Sequence, residues 1–242
     1  MGKKVILITG GSSGLGAKFV DTLCAEGDNC VYFTHIEPPG TMVKTPPGAF
    51  AMRCDQRDEG EIAYCVSTIQ ASQGRIDVLV NNACPSFKPG DFLASDWNLF
   101  QDLIDVNVKG SYLFMREVSE IMKTQGYGRM INILSSYVLN VPPEKLSFYI
   151  TAKYALLGLS KAAAAELCKY GITVNMLSPG MMSTQLTAYL PPKFLEVSGQ
   201  RHPMKRLATT ADVAGVLKFL ISEDANFLNG VNIPVNGGET FL

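Results

Sequence analysis

The chain has 242 residues, of which 47% are hydrophobic and 18% are charged, and its 21 basic and 22 acidic residues leave a formal net charge of -1. This composition excludes intrinsic disorder, which requires few hydrophobic residues and a high net charge. The balanced charge also disfavours nucleic acid as the main partner, because such binding depends largely on neutralising phosphates. No apolar run approaches the roughly 18–20 residues of a membrane span, so no nucleic-acid or membrane partner is expected.

Neither a targeting signal nor a metal site is predicted. The apolar run at 5–8 is shorter than the roughly 7–15 residues of a signal-peptide core, and Ile6 stands where an N-myristoylation motif needs Ser or Thr. The six cysteines form no Cys-x-x-Cys pair, which predicts reduced thiols and a cytoplasmic location. The two histidines, His35 and His202, are too far apart in sequence to suggest a shared metal.

Short β-branched runs alternate with segments of helical periodicity along the chain. Strands are predicted at 4–9, 30–34, 50–54, 76–80, 129–134, 173–177 and 231–235, and helices at 14–26, 58–72, 97–124, 147–170 and 210–222. This alternation is typical of βαβ units, in which helices cover both faces of a parallel sheet. We therefore predict an α/β fold: one doubly wound, Rossmann-type domain over 1–242 with about seven parallel strands. The segment 180–206 is predicted to be irregular and to cover a ligand site at the carboxyl ends of the strands.

The first predicted strand ends in a glycine-rich turn, TGGSSGLG from Thr9 to Gly16, and a helix follows. Glycines let the backbone approach a diphosphate, and the amino terminus of a helix adds N–H donors and the positive end of its dipole. A tight strand-to-helix connection would by itself explain the glycines, but the position after the first strand favours nucleotide binding. A triphosphate P-loop is excluded, because Ala17 stands where that motif needs Lys.

A proton-transfer pair is predicted on the fourth helix. Tyr149 and Lys153 are four residues apart and share one helix face. An ammonium beside a phenol stabilises the phenolate and is expected to lower the pKa of Tyr149, so that it exchanges a proton near neutral pH. The same spacing recurs at Tyr189 and Lys193, but the two prolines at 191–192 prevent a regular helix from aligning that pair.

A hydroxyl for the substrate is predicted at the end of the preceding strand. Ser136 lies thirteen positions ahead of Tyr149, where it could hold a carbonyl oxygen beside the phenol. Ser135 is the neighbouring candidate. Alternation along a strand points the two side chains to opposite faces, so only one of them can serve.

Six motifs in order, over nearly the full length of the chain, resemble those of the short-chain dehydrogenase/reductase family in its single-domain branch. Each motif alone would be weak evidence, but together and in this order they are specific. They are TGGSSGLG at 9–16, NNA at 81–83, Asn107, Ser136 with the YITAK segment at 149–153, PGMMST at 179–184 and VNGG at 235–238.

The resemblance implies hydride transfer between a nicotinamide cofactor and a carbonyl or alcohol. It implies that Tyr149 is the general acid in reduction, and that Lys153 lowers the pKa of Tyr149 and binds the nicotinamide ribose. It also implies that Ser136 orients the substrate oxygen and that Asn107 holds a water of the proton relay. These four residues are the predicted catalytic set, and no metal belongs to it.

The resemblance also implies a set of cofactor contacts. Asp55 is expected to meet the adenine amino group, and Thr184 and the backbone of Met182 are expected to meet the carboxamide. Members that use NAD carry Asp at the end of the second strand; Thr34 and His35 stand here instead, which predicts NADP(H), although Ser13 replaces the Arg of many NADP-binding members. The full set is Gly10, Ser12, Ser13, Gly14, Leu15, Gly16, Thr34, His35, Asp55, Gln56, Asn82, Ala83, Tyr149, Lys153, Pro179, Gly180, Met182 and Thr184.

Cys84 departs from the family pattern, which has Gly after Asn-Asn-Ala. A Cβ at this position narrows the approach of the backbone to the ribose or shifts the turn. We expect Cys84 to be tolerated rather than catalytic, because no His or Asp lies nearby in sequence to activate its thiol.

Apolar residues dominate 180–206 and the stretch after Ser136, which favours an acyl or polyketide-like substrate. The sequence is most similar to β-ketoacyl-ACP reductases, so an acyl carrier protein is a candidate partner, although Tyr127 and Tyr170 replace two arginines that dock it in bacterial enzymes. The alternatives are a carbonyl reductase for free ketones and a non-catalytic NADP sensor; enoyl reductases space their Tyr and Lys more widely. A homotetramer or homodimer is expected, since the small side chains at 162–165 permit close helix approach.

Overall fold

The computed structural model of the protein describes residues 4–27 and 29–241. Seven parallel strands form one sheet in the order β3-β2-β1-β4-β5-β6-β7, which confirms the predicted doubly wound domain. The strand order reverses between β1 and β4, and in such sheets ligands bind at this switch point beyond the carboxyl ends. The strands are β1 Val5–Ile8, β2 Cys30–His35, β3 Ala49–Arg53, β4 Val78–Asn81, β5 Gly128–Ile133, β6 Ile172–Pro179 and β7 Asn232–Val235.

Seven α-helices connect and cover these strands in the described part of the chain. Local capping sets several boundaries: the Asp58 side chain accepts a hydrogen bond from the Glu61 N–H at the start of α2, and Gly74 ends that helix with a φ of 70°. The helices are α1 Gly14–Cys24, α2 Glu59–Gln73, α3 Trp97–Ile104, α4 Ser111–Gln125, α5 Ser147–Leu167, α6 Pro192–Arg201 and α7 Thr210–Leu220. None of these helices is both long and apolar enough to cross a lipid bilayer.

The strands are buried on both faces, and their side chains divide the core into two layers. Ile6 and Ile8 of β1 face a cluster that contains the apolar sides of α1 and α7. Val5 and Leu7 face the opposite cluster, which contains residues of α2, α4 and α5. This two-residue period is what a strand between two helical layers requires. Because all seven strands are parallel, the loops that follow them lie along one common edge of the sheet.

The segment predicted as one helix over 97–124 is interrupted by a π-helical stretch, Asp105–Gly110. The interruption lies against the loop after β3, where the Gln56 Nε2 donates to the Val106 carbonyl over 2.5 Å. A Cβ on Gly110 would lie 2.7 Å from the Gln56 carbonyl oxygen, so the backbones approach closely here. The wider turn leaves the Val106 carbonyl free to accept the hydrogen bond from Gln56. Asn107 lies within this turn, and π-bulges are frequent at functional sites.

The segment 180–206 is not irregular throughout, as the sequence predicted, because α6 occupies Pro192–Arg201. The two prolines at 191–192 stand at the start of this helix, where proline is well accommodated since the first N–H groups have no partner within the helix. The prolines therefore begin a helix rather than prevent one. They still separate Tyr189 from Lys193, so the second Tyr-x-x-x-Lys match spans a helix boundary.

Candidate active site

One cavity of about 550 Å³ opens at the carboxyl edge of the sheet. Loops after β1 to β6 contribute to its walls, as expected for a doubly wound sheet. All eighteen residues in the predicted cofactor-binding set line this cavity; their contacts with a cofactor stay a prediction. Of the four predicted catalytic residues, Tyr149 and Lys153 line it, whereas Asn107 and Ser136 do not.

The glycine-rich turn between β1 and α1 lines one end of the cavity. Gly10 has a φ of +65°, and a Cβ on Gly16 would lie 2.1 Å from the Gly10 carbonyl oxygen, so neither position accepts a side chain without rearrangement. The Thr34 hydroxyl accepts a hydrogen bond from the Gly10 N–H over 3.1 Å, and the Thr9 hydroxyl accepts from Asn82. This bare backbone at a helix amino terminus fits the diphosphate of a dinucleotide.

Asp55 lies in the cavity but is already bound by a residue that the sequence analysis missed. Arg57 donates to the Asp55 carboxylate through Nε at 2.9 Å and Nη2 at 2.6 Å, and it reaches Asp102 on α3 over 2.7 Å. The hydrogen bonds from Arg57 lower the pKa of Asp55. The predicted adenine contact is therefore an ionised carboxylate held in place by a guanidinium, and nothing in the local sequence pattern indicates this clamp.

The end of β2 carries an acid that the family pattern did not reveal. Glu37 lies two residues beyond β2 and lines the cavity together with Thr34 and His35. The Nδ1 of His35 is buried and has no hydrogen-bond partner among the described residues, and burial lowers the pKa of His35. This end of the cavity thus combines a neutral imidazole with a carboxylate.

Tyr149 and Lys153 occupy one face of α5, as predicted, and both are buried. The Lys153 Nζ donates to the Ile133 carbonyl over 2.9 Å and lies 5.7 Å from the centroid of the Tyr149 ring. Burial raises the pKa of Tyr149 and lowers the pKa of Lys153. The expectation that Lys153 lowers the pKa of Tyr149 is therefore wrong for this structure, because burial removes both groups from water and favours their neutral forms.

Ser135 lies in the cavity in place of Ser136, the residue selected from the sequence. Ser135 lines the wall, and a side-chain hydrogen bond from Ser135 favours the ionised form of the Tyr149 phenol. Ser136 begins a short 3-10 turn and is buried away from the cavity. The strand ends at Ile133, two residues before Ser135, so strand alternation could not decide between the two.

Asn107 lies behind the cavity wall rather than in it. Its Nδ2 donates to the Leu103 carbonyl over 2.9 Å, and its Oδ1 is buried without a hydrogen-bond partner among the described residues. Cys84 stands in front of it, facing the cavity. Burial raises the pKa of the Cys84 thiol, although Lys153 and a hydrogen bond with Asn107 act in the opposite direction. A neutral thiol is a poor nucleophile, in agreement with a non-catalytic role for Cys84.

The opposite end of the cavity is apolar. No charged side chain from 134–146 or 180–190 lines it, and only the part of the predicted covering segment up to Leu190 takes part. Phe194, Leu195 and Val197, three apolar residues of the segment predicted to cover the site, lie on α6 outside the cavity. In the described ranges no group of three or more His, Cys, Asp or Glu side chains is arranged to hold a metal ion. The apolar lining is Phe87, Leu134, Tyr137, Leu146, Met181, Leu186, Tyr189 and Leu190.

A glycine turn at one end of a switch-point cavity and a Ser-Tyr-Lys group at the other define an oxidoreductase that uses a nicotinamide dinucleotide. A family model described as enoyl-(acyl carrier protein) reductase matches residues 10–240. The chain belongs to the short-chain dehydrogenase/reductase family, whose members act on CH–OH and C=O groups.

Three relatives illustrate the range of the family around this chain. The 3-oxoacyl-[acyl-carrier-protein] reductase MabA of Mycobacterium tuberculosis is 32% identical over 96% of this chain and 91% of its own length. The structure of ElxO with NADP bound has a TM-score of 0.87 and 31% identity, over 98% of each chain. A 3-ketoacyl-(acyl-carrier-protein) reductase from Brucella melitensis complexed with NADH has a TM-score of 0.88 and 28% identity, also over 98% of each chain.

Proposed function

We propose that this protein is an NADP(H)-dependent ketoreductase that reduces a carbonyl group to a secondary alcohol, on a β-ketoacyl thioester or a polyketide-like substrate. The observation that carries the proposal is the grouping of Ser135, Tyr149 and Lys153 in one cavity with the glycine turn. A hydroxyl and a phenol can hold a carbonyl oxygen and supply its proton, and a lysine beside them can stabilise the phenolate that is left.

In the proposed reduction the carbonyl oxygen accepts hydrogen bonds from Ser135 and Tyr149. A bound nicotinamide supplies the hydride that forms the new C–H bond. Tyr149 gives its phenolic proton to the oxygen, which becomes the hydroxyl of the alcohol. Lys153, one helical turn further on, stabilises the phenolate that remains until a proton from solvent restores it.

The apolar end of the cavity supports an acyl substrate. Because no cationic side chain lines that end apart from Lys153, a phosphate or carboxylate close to the reacting carbonyl would lose its hydration without gaining a partner. An acyl chain or polyketide segment places only methylene and carbonyl groups there. The similarity to MabA supports the thioester class.

An acyl carrier protein is the candidate partner, and the structure places Tyr127 and Tyr170 far from the cavity. They precede β5 and β6, at the amino edge of the sheet, with Lys123 and Lys169 over the Tyr170 ring at 5.0 and 5.1 Å. A carrier protein docked there would not deliver its acyl group into the cavity of the same protomer. We therefore propose thioester substrates as a class and compare carrier-linked with free thioesters in the test.

The test of the proposed function is a screen for NADPH oxidation. We expect a kcat/KM for β-ketoacyl thioesters, free or carrier-linked, at least about tenfold above that for simple ketones, and no reduction of sugars. Reduction of simple ketones alone would instead identify a carbonyl reductase for free ketones. Tight binding of NADPH without turnover of any carbonyl compound would contradict an enzymatic role and identify a cofactor sensor.

NADPH is expected to give a higher kcat/KM than NADH, because no acid stands on β2 itself to bind the ribose hydroxyls. Glu37 opposes this preference, since its carboxylate lies near the end of β2 in the cavity and repels a 2′-phosphate. In Glu37→Gln the ratio of kcat/KM for NADPH over NADH is therefore expected to increase about 3–10-fold.

The matched control is Glu120→Gln, which makes the same charge change at an exposed position on α4 outside the cavity. Equal or better use of NADH by the unchanged protein would overturn the proposed preference. An unchanged ratio in Glu37→Gln would show that Glu37 does not face the ribose.

We also propose a homotetramer or homodimer that associates through α4 and α5. Tyr112 on α4 and Tyr154 on α5 expose 46% and 47% of their surface, and Ala162 and Ala165 on α5 are exposed small residues. Light scattering at micromolar concentration is expected to give two or four times the 26.2 kDa of one chain. A value of a single chain mass would contradict the proposal.

The cytoplasm is the proposed location. All six cysteines lie in the described ranges and are free thiols. Four of them are at least half-buried, and a fifth, Cys84, lines the cavity. Unpaired cysteines are typical of proteins in reducing compartments.

A further inference from the structure

Phe87 lies on the loop after β4 and stacks on the Tyr149 ring. The two ring centroids are 5.0 Å apart and the planes are inclined by 19°. The loop from 82 to 90 has no regular secondary structure, yet Phe87 lines the cavity with Tyr149. A stacked aromatic partner contributes about 0.5–1.5 kcal/mol beyond its burial, which is enough to favour one ring orientation.

The remaining neighbours of Tyr149 do not fix the orientation of its ring in the same way. Leu103, Leu146 and Ile150 pack around it as aliphatic side chains, which impose no preferred plane on a ring. Phe87, Tyr137 and Phe148 add aromatic side chains to this cluster. Phe87 stacks on the Tyr149 ring, whereas Phe148 stacks on Phe100. The direction of the Tyr149 hydroxyl therefore depends on a loop that carries no catalytic group.

Phe87 also contacts the covering segment. Its ring centroid lies 6.5 Å from that of Tyr189, with the planes inclined by 46°, and Tyr189 also lines the cavity. One side chain thus bridges the buried phenol and the segment under which a substrate must pass. Water that entered from this side would have to displace the Phe87 ring to reach Tyr149.

We propose that Phe87 is a positioning residue, which holds the ring of Tyr149 in its reactive orientation and, together with Tyr189, keeps water away from the phenol. The inference rests on the proposed function, because it takes Tyr149 to be the general acid. It assigns to the loop after β4 a part in catalysis that is separate from cofactor binding.

The test compares Phe87→Ala and Phe87→Leu with Phe100→Ala. Phe100 on α3 stacks on Phe148 at 4.8 Å and 26° and lies outside the cavity, so its variant removes a similar stack next to the site without touching Tyr149. Phe87→Ala is expected to lower kcat about 10–100-fold, because small errors in the position of a reacting group are costly. The KM for the substrate should change much less than kcat.

The pH profile separates positioning from water exclusion. Water beside the phenol relieves the desolvation that raises the pKa of Tyr149, so the alkaline limb of reduction is expected to move to lower pH in Phe87→Ala. The Leu side chain in Phe87→Leu still excludes water from the phenol, so this variant should retain the alkaline limb of the unchanged protein and lose less kcat than Phe87→Ala. The titratable neighbours of Tyr149, namely Lys153, Cys84, Tyr137 and Tyr189, are unchanged in all three variants.

A second measurement does not depend on turnover. Tetranitromethane nitrates accessible tyrosines, and peptide mass mapping reports the labelled fraction at Tyr149. We expect little label at Tyr149 in the unchanged protein and in Phe100→Ala, and several-fold more in Phe87→Ala. Equal labelling in all three, or equal losses of kcat in Phe87→Ala and Phe100→Ala, would overturn the inference while leaving the proposed function intact. A failure of the proposed function would appear separately, as no carbonyl reduction by the unchanged protein.

Discussion

Replacing Tyr149 by Phe is expected to lower kcat for carbonyl reduction about 10³-fold, because the variant has no phenolic proton to give to the substrate oxygen. The ring itself is buried, with 8% of its surface exposed, and it packs against Leu103, Leu146 and Ile150. Loss of the hydroxyl leaves those contacts unchanged. Single-turnover oxidation of NADPH, with the best thioester from the screen, measures the chemical step.

The control for Tyr149→Phe is cofactor affinity. Fluorescence titration should give a Kd for NADPH within about twofold of that of the unchanged protein, since one hydroxyl contributes little to so large a ligand. The melting temperature should also stay close to the original value. Retention of a tenth or more of the original rate would contradict the assignment of Tyr149 as the proton donor.

The raised pKa of Tyr149 sets the pH dependence in each direction. Reduction needs the protonated phenol; because burial raises that pKa, the protonated form persists through neutral pH and is lost only as pH rises through the raised value. Oxidation of the alcohol needs the phenolate, so its rate should increase with pH over the same range. A loss of reduction between about pH 6 and 8 would show that the pKa of Tyr149 falls below its ordinary value.

Replacing Ser135 by Ala is expected to lower kcat/KM about 10²-fold, whereas Ser136→Ala should stay within about threefold of the unchanged protein. Removal of one donor that holds a reacting oxygen commonly costs about 10²–10³. Ser135 lines the cavity together with Tyr149, while Ser136 is buried outside it. Steady-state kinetics of both variants with one thioester substrate give the comparison.

Ser135→Thr provides the control, because it retains a hydroxyl and should recover part of the lost activity. Ser136→Ala controls for the effect of removing a hydroxyl from the same short turn. The opposite ranking, with Ser136→Ala inactive and Ser135→Ala active, would restore the prediction made from the sequence. It would also mean that a substrate approaches from the other side of the turn.

The fold could be predicted from the sequence because local and global patterns agree. The run Val5–Ile8 is buried on both faces. Strands of this kind appear in a sequence as unbroken apolar stretches, which are typical of a parallel sheet that helices cover on both sides. Alternation with helices then fixes the topology. The π-helical stretch at Asp105–Gly110 could not be predicted, because it depends on a contact with Gln56, fifty residues earlier in the chain.

The candidate site, like the fold, was predictable from the sequence only in part. The glycine turn and the Tyr149–Lys153 pair follow from backbone geometry and helix periodicity, and the structure brings them to one cavity. Ser135, Glu37 and Phe87 lie beyond the ends of strands, where no period relates a residue to the side it faces. The pKa of Tyr149 was predicted in the wrong direction, since a sequence shows a nearby charge but not the degree of burial.

The π-helical stretch between α3 and α4 has a consequence for how the chain can change in length. A π-helical turn, with its i→i+5 hydrogen bonds, holds one residue more than the α-helical turn that it replaces. Deletion of one residue from Asp105–Gly110 would therefore let the stretch close to an α-helical turn while Leu113, Phe114 and Val118 of α4 stay in the core, with loss of the hydrogen bond between Gln56 and the Val106 carbonyl. The wide turn thus marks the one place in this pair of helices where the chain tolerates a change of a single residue in length.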